Sequence, residues 1–375
     1  MSAVLKKAAD FARRETVLLA AMGLAAVSAV FVPPSRAYAE YIDFRTLGLL
    51  FSLMAVTEGC RRMGIFERAA GLLTRSAHTH FQLVLALTAA CFFASMAITN
   101  DVALITFVPL SLAALSRLEG GARLAIPVTV MQTIAANLGS MLTPIGNPQN
   151  LYLYGLSGMR VGGFIKLMLP YTLLAGAMLA GWAYMLCRKK GALSALPAQD
   201  MSTDNNTDNN DLPEIHRGRL AMYAALFALC LLTVTRVLPW QVAAAAVLKN
   251  IDWSLLLTFC GFFIFIGNVS AVPAFSGALR RFIGGRELFT AAAASQIISN
   301  VPCAILLSAF TDNVRALIVG TNIGGLGTLI ASMASLISYK QICREKPAEK
   351  GRYLACFTAA NAVFLLAMAV LAIIL

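Results

Sequence analysis

Apolar runs alternate with short basic or turn-rich segments along the whole chain. Thr16–Val32, Phe164–Cys187, Leu220–Thr235 and Tyr353–Leu375 reach or approach the roughly 20 apolar residues with which a helix crosses a bilayer. Phe44–Gly59, Leu255–Val269 and the short Val237–Leu248 read as further spans. The pattern predicts an all-α polytopic membrane protein.

Four apolar stretches carry polar punctuation: residues 99–101, 137–150, 299–302 and 322–328. The second, NLGSMLTPIGNPQN, mixes Asn, Gly, Ser, Thr, Pro and Gln into a hydrophobic surround. An unsatisfied backbone group in hydrocarbon costs several kcal/mol. Irregular backbone at membrane depth therefore persists only where protein or water satisfies it. Each break is expected to line a site. Half-helix N-termini offer N–H groups to anions, and half-helix C-termini offer carbonyls to cations.

Composition agrees with the pattern. Hydrophobic residues make up 59% of the 375, charged residues 13%, and mean hydropathy is +0.74. A soluble fold of this size could not bury that much apolar surface. The net charge of +12 would suggest nucleic acid in a soluble chain. Here Lys and Arg flank apolar runs, so the positive-inside rule accounts for them and no nucleic-acid partner is implied. The eight Cys lie mostly in apolar runs without a C-x-x-C pair and read as small buried hydrophobes. His78, His80 and His216 fall in polar, loop-like stretches, so no metal site is read from them. Ala37-Tyr38-Ala39 imitates a signal-peptidase site, but the many spans that follow favour a retained first helix.

One segment, residues 191–216, is rich in Asp, Asn, Ser and Thr and reads as a linker. It divides the chain and exposes a repeat. Ile42-Asp43-Phe44 answers Ile251-Asp252-Trp253. The stretch from Ala94 to Asn100 answers that from Ala294 to Asn300. Asn137-Leu138-Gly139-Ser140 answers Asn322-Ile323-Gly324-Gly325, and Thr143 answers Thr328. The organisation expected is an N-terminal cytoplasmic segment with the first helix (1–41), a first repeat (42–190), a cytoplasmic linker (191–219), connecting spans (220–250) and a second repeat (251–375).

Basic residues set the expected topology. With a cytoplasmic N-terminus, Arg61, Arg62, Arg68 and Arg75 fall inside, as do Arg117 and Arg123. Residues 81–115 then form a re-entrant hairpin from the cytoplasmic side, and the hairpin at Ser299-Asn300 enters from outside. Arg280, Arg281 and Arg286 fall outside against the rule, which an inverted repeat forces on one copy.

The breaks supply candidate ligands. Asn300 before Val301-Pro302 reads as a helix cap, and Asn100-Asp101 can cap the matching helix. Ser95 and Thr99, four apart, are expected on one helix face, and Ser295 and Ser299 repeat the spacing. The candidate cation ligands are Ser95, Thr99, Asn100, Asn137 and Gly139 in one half and Ser295, Asn300, Asn322 and Gly324 in the other. Small and hydroxylated residues also serve plain helix packing in membranes, so each single Ser or Thr has that second reading. Gly139, Gly324, Gly325 and Gly327 give room for close backbone approach. Asp101 is the sharpest residue. A carboxylate at bilayer depth costs about 3 kcal/mol on insertion scales, so it reads as a proton or cation carrier, or else as a water-reached cap. Glu58 and Asp312 are placed nearer the interfaces.

The motifs ITNDVALITFVPL (98–110), NLGSMLTPIGNPQN (137–150), SNVPCAILL (299–307) and NIGGLGTLIAS (322–332) resemble the ion transporter superfamily. That group includes citrate permeases, divalent anion:sodium symporters and arsenite permeases. The resemblance implies two inverted-topology repeats with re-entrant hairpins and broken transmembrane helices, and a homodimer. It implies substrate contacts at Asn100, Thr143, Pro144, Ser299, Asn300 and Thr328, to which the reading of the residues themselves adds Asp101. The divalent anion symporters carry Ser-Asn-Thr at both hairpin tips, whereas this chain has Thr99-Asn100-Asp101 and Ser299-Asn300-Val301. A carboxylate at Asp101 would repel a dicarboxylate, and Val301 lacks the hydroxyl. Thr-Asn-Asp is closer to the arsenite permease branch.

The expected function is ion-coupled secondary transport of a small anion by alternating access in a bacterial inner membrane. Proton-driven arsenite or antimonite efflux is the alternative, and a channel a further one. The coupling ion is Na+ or H+, with no other cofactor. No H-E-x-x-H, G-x-S-x-G or P-loop motif points to an enzyme.

Overall fold

The computed structural model describes residues 15–66, 68, 77, 79–116, 121–188, 217–242 and 253–375. Arg75, His78, Arg117, His216, Ile251-Asp252 and the linker at 191–216 lie outside the described residues, as does the second half, 243–248, of the short span expected at 237–248.

Every regular element described is a helix. The first half runs α1 (Thr16–Phe31), the short α2 (Ala37–Tyr41), α3 (Phe44–Arg62), α4 (His80–Ala97), α5 (Asn100–Ser116), α6 (Ala122–Ser140), α7 (Pro148–Ser157) and α8 (Val161–Arg188). After α9 (Arg217–Val234) the second half runs α10 (Trp253–Ser270), α11 (Pro273–Ile283), α12 (Glu287–Ile298), α13 (Asn300–Ser308), α14 (Val314–Gly324), α15 (Met333–Glu345) and α16 (Lys350–Ile374). Among the described residues, α4, α8, α9 and the stretch containing α16 are long and apolar enough to span a membrane. The pair α10–α11 bends by 100° at its break.

Local chemistry explains the starts and stops. Asp43 caps α3, its Oδ1 accepting the Thr46 N–H at 3.0 Å. Pro148 opens α7 and Pro273 opens α11, where a missing N–H costs nothing. Glu58 accepts from Arg61 and Arg62 at the basic end of α3. His80 is the first residue of α4, helical where a loop was expected.

The breaks fall differently from the polar motifs. Asn137 to Ser140 stays helical, and the interruption lies between α6 and α7, at 141–147. The second lies between α14 and α15, at 325–332, and extends past the expected 328. The hairpins turn at Ile98-Thr99 and at Ser299, which has a φ of 71°.

The helices pack in matching pairs. Helix α1 lies on α10, and α9 lies on α3. Each hairpin, α4–α5 or α12–α13, packs on the helix before the break in its own half, α6 or α14. Each helix after a break crosses over: α7 packs on α13 and α14, and α15 packs on α5 and α6. Exposed large apolar side chains lie on the outer helices, such as Val363, Leu366 and Val370 on α16 and Leu169, Leu173 and Met185 on α8. Their natural solvent is lipid.

Candidate functional site

Each hairpin tip is tied by its backbone to a break. The Asn100 N–H donates to the Gly146 carbonyl at 3.1 Å, and the Asn300 N–H donates to the Ala331 carbonyl at 2.9 Å. A hydroxyl from each break returns the tie. Thr143 donates to the Met96 carbonyl at 2.5 Å, and Thr328 donates to the Gln296 carbonyl at 2.9 Å. These bonds satisfy part of the backbone that the breaks leave open.

Close helix approach makes the ties possible. A Cβ at Gly139 would lie 2.2 Å from the Phe92 carbonyl oxygen, and one at Gly324 would lie 2.8 Å from Ser295 Cβ and Oγ. Ser95 and Ser295, fully buried opposite these glycines, turn their hydroxyls back to Phe92 O and Ala291 O at 2.8 and 2.7 Å. Neither serine shares a helix face with the residue four places on. Helix α4 ends at Ala97 and α12 at Ile298, so Thr99 and Ser299 belong to the turns. The capping expectation at Asn300 is also corrected. Ser299 occupies the cap position without a side-chain bond, and Asn300 is the first helical residue.

Neutral polar side chains join the halves between these tips. Asn137 Oδ1 accepts from Asn100 Nδ2 at 3.1 Å and from Ser332 Oγ at 3.0 Å, while Asn137 Nδ2 reaches Ser335 Oγ at 3.4 Å. In reciprocal fashion Asn322 Nδ2 donates to Asn150 Oδ1 at 2.6 Å. Asn150 Nδ2 lies 3.3 Å from both the Ser140 and Thr143 carbonyls. Asn100, Asn137, Asn150, Ser299, Asn300, Asn322, Ser332 and Ser335 are all buried. Among the described residues every buried polar side chain is neutral, and Asp101 at the first tip is half-buried. Asn100 Oδ1 accepts the Asp101 N–H at 3.0 Å.

Thus Asn100, Asn137 and Thr143 gather around the first tip and break, and Ser299, Asn300 and Thr328 around the second. Pro144 lies within the first break. Sequence reasoning missed Asn147, Asn150, Ser332, Ser335 and Gln296. Extending the Asn137–Asn322 register would have found four of them, since the same offset pairs Asn147 with Ser332 and Asn150 with Ser335. Gln132 was missed too. Its buried amide donates to Ser111 Oγ at 2.6 Å and to the Leu87 carbonyl at 3.3 Å, tying both arms of the first hairpin to α6.

Two surface cavities, of about 310 and 380 Å³, lie away from the tips. One is lined by Asp43, Tyr152 and Phe263, the other by Met159, Asp312 and Arg315.

Apolar spanning helices and broken helices meeting in a neutral polar interior define an integral membrane protein. The citrate transporter (CitMHS) family model matches residues 4–316, and the chain belongs to that family of membrane transporters. It is 32% identical over 342 residues to the inner membrane protein YbiR of Escherichia coli (strain K12), covering 87% of this chain and 86% of that protein. An uncharacterized transporter of Methanocaldococcus jannaschii is 29% identical over 306 residues, covering 80% and 81%. The silicon efflux transporter LSI3 of Oryza sativa subsp. japonica is 37% identical over 148 residues, 39% of this chain and 28% of that protein.

Proposed function

We propose that the chain is an ion-coupled secondary transporter of a small anion, an organic carboxylate or an inorganic oxyanion, working by alternating access. One observation carries this reading. Two hairpin tips, Asn100 and Asn300, are bound through the backbone to two helix breaks, and neutral amides and hydroxyls bridge the halves between them. Paired breaks of this kind suit a midplane site that two repeats expose in turn. Exchanging the halves maps most helix contacts onto one another: α1–α10 onto α9–α3, α7–α13 onto α15–α5, and α7–α14 onto α15–α6. This supports two inverted-topology repeats. The hairpins and broken helices would move against the remaining spans. Na+ or H+ is the coupling ion, the N-terminus is cytoplasmic, the membrane is a bacterial inner membrane, and the protein works as a homodimer.

A second reading has its own observation. No Lys or Arg is among the buried side chains described, and the charge at the first tip is the Asp101 carboxylate. A neutral hydroxylated metalloid acid would need no cationic partner, so proton-driven efflux of an arsenite-like or antimonite-like solute fits that lining. The similarity to a silicon efflux transporter points the same way.

Counterflow in proteoliposomes with labelled citrate, succinate, sulfate and arsenite, with and without a Na+ gradient, decides between them. Na+-driven carboxylate uptake supports the first reading. Arsenite movement that follows pH and ignores Na+ supports the second. Exchange of none of these solutes, and no saturable site for any, would sink both.

A further inference from the structure

The halves differ at Met96 and its counterpart Gln296. Both main chains do the same work, accepting the hydroxyl of Thr143 or Thr328. The side chains do not. Gln296 Nε2 stands among three carbonyl oxygens: Gly324 at 2.9 Å, Leu326 at 2.9 Å and Ala292 at 3.0 Å. Two of these lie at the broken end of α14. An amide nitrogen has two hydrogens for those three oxygens. The other end of the amide is fixed as well, because Gln296 Oε1 accepts the Thr328 N–H at 2.9 Å. Its seat is shaped for it. Gly327 has a φ of 104°, and a Cβ there would lie 2.2 Å from Gln296 Oε1.

A cluster of carbonyls at a half-helix C-terminus is a cation-binding arrangement. In the second half its centre holds the positive end of an amide dipole. In the first half the same sequence position holds a thioether, which has no hydrogen to donate. The neighbouring tip residue differs in the matching sense, with the carboxylate of Asp101 in the first half and the apolar Val301 in the second.

We infer that Gln296 is a built-in substitute for a cation. Its amide permanently fills the cation position of the second half, so that one exchangeable coupling ion binds per transport cycle, in the first half near Asp101. This rests on the ion-coupled reading above and narrows it to one ion. Gln296 is a positioning residue: it holds the break at 325–328 in the shape that an ion would otherwise impose.

The test uses the full-length protein in proteoliposomes, with ion-to-substrate stoichiometry read from reversal potentials under imposed Na+ or H+ gradients. One ion per substrate is expected, and two or more would overturn the inference. A stoichiometry of zero would overturn the ion-coupled reading itself and is thereby distinguished. Met96→Gln is expected to copy the plug into the first half and leave substrate exchange that no longer responds to the driving ion, with Met96→Leu behaving as wild type. Full ion dependence in Met96→Gln would count against the inference. A readout independent of transport is thermal unfolding of purified Gln296→Glu. A carboxylate among three carbonyls needs a cation, so its midpoint should rise with added Na+ or with falling pH more than that of wild type. Identical responses would show that the cage has no affinity for a cation and would overturn the assignment.

Discussion

The two hairpin tips share a backbone tie and part company in their side chains. Asn100 has its amide engaged at both ends, by Asn137 and by the Asp101 N–H. Asn300 is equally buried, yet its amide makes no side-chain hydrogen bond within the described residues. The tie needs only a main-chain N–H, which any non-proline residue supplies. Side chains at the tip are therefore free to diverge between the halves while the hairpin geometry stays the same. The first tip is a packed polar cluster with a carboxylate beside it. The second leaves the Asn300 amide without a side-chain hydrogen bond among the described residues and puts its fixed polar contacts on Gln296.

The largest expected effect tests that contrast directly. Asn100→Ala and Asn300→Ala should each reduce counterflow to background while membrane insertion is retained. They should separate in stability. Asn100→Ala removes one of the two donors to the buried Asn137 oxygen, leaving Ser332, and also the acceptor of the Asp101 N–H. It should cost about 1–2 kcal/mol, whereas Asn300→Ala, which breaks no side-chain hydrogen bond among the described residues, should cost less. Thermal unfolding of both variants reads the difference, and equal losses would erase the distinction between the tips.

Next in size is the steric comparison. Gly139→Ala pushes a methyl against the Phe92 carbonyl, a backbone atom that cannot step aside. It should cost about 3 kcal/mol, and Gly324→Ala, meeting the Ser295 side chain and the Ala292 Cα, about 1–2 kcal/mol. Yield of monodisperse protein and unfolding temperature should rank the two in that order; the reverse ranking would place the tighter crossing in the second half.

Asp101→Asn sharpens the comparison chemically, since it makes the first tip as neutral as the second. If Asp101 carries the coupling proton, exchange loses its pH dependence over the range in which wild type responds. An unchanged pH profile would leave the residue an acidic side chain in the first turn of α5, favourable to the helix dipole.

The smallest effect lies outside the tips. Arg236 donates to the Tyr154, Gly155 and Gly158 carbonyls at 3.2, 3.3 and 3.4 Å and lies over the Tyr154 ring. It closes the C-terminal end of α7. The matching helix α15 ends beside Arg344 in its own last turn. Arg236→Ala should cost about 0.5–1 kcal/mol and alter the exchange rate more than substrate affinity.

Much of this could be read without coordinates. Apolar run lengths named the membrane class, because hydropathy over about 20 residues is a local property. Gly, Pro and Asn inside those runs marked four breaks, because a breaker acts through its own φ or missing N–H. The exact seats of the breaks were not legible. Asn137 to Ser140 looks like an interruption but continues α6, since its polar groups find partners on neighbouring helices and its backbone ladder never opens.

Only the tertiary structure decided which polar groups meet. Asn137 with Ser332, Asn322 with Asn150, and the Gln296 amide within the second break join residues far apart in the chain. Local composition does not encode such pairings. They follow from how α7 and α15 each cross to the opposite half, while close approach at Gly139 and Gly324 seats each hairpin on the helix before the break in its own half. The sequence by itself determined a helical membrane protein with paired breaks. The fold determined that those breaks lock onto the hairpin tips, and that one of the two is already filled from within.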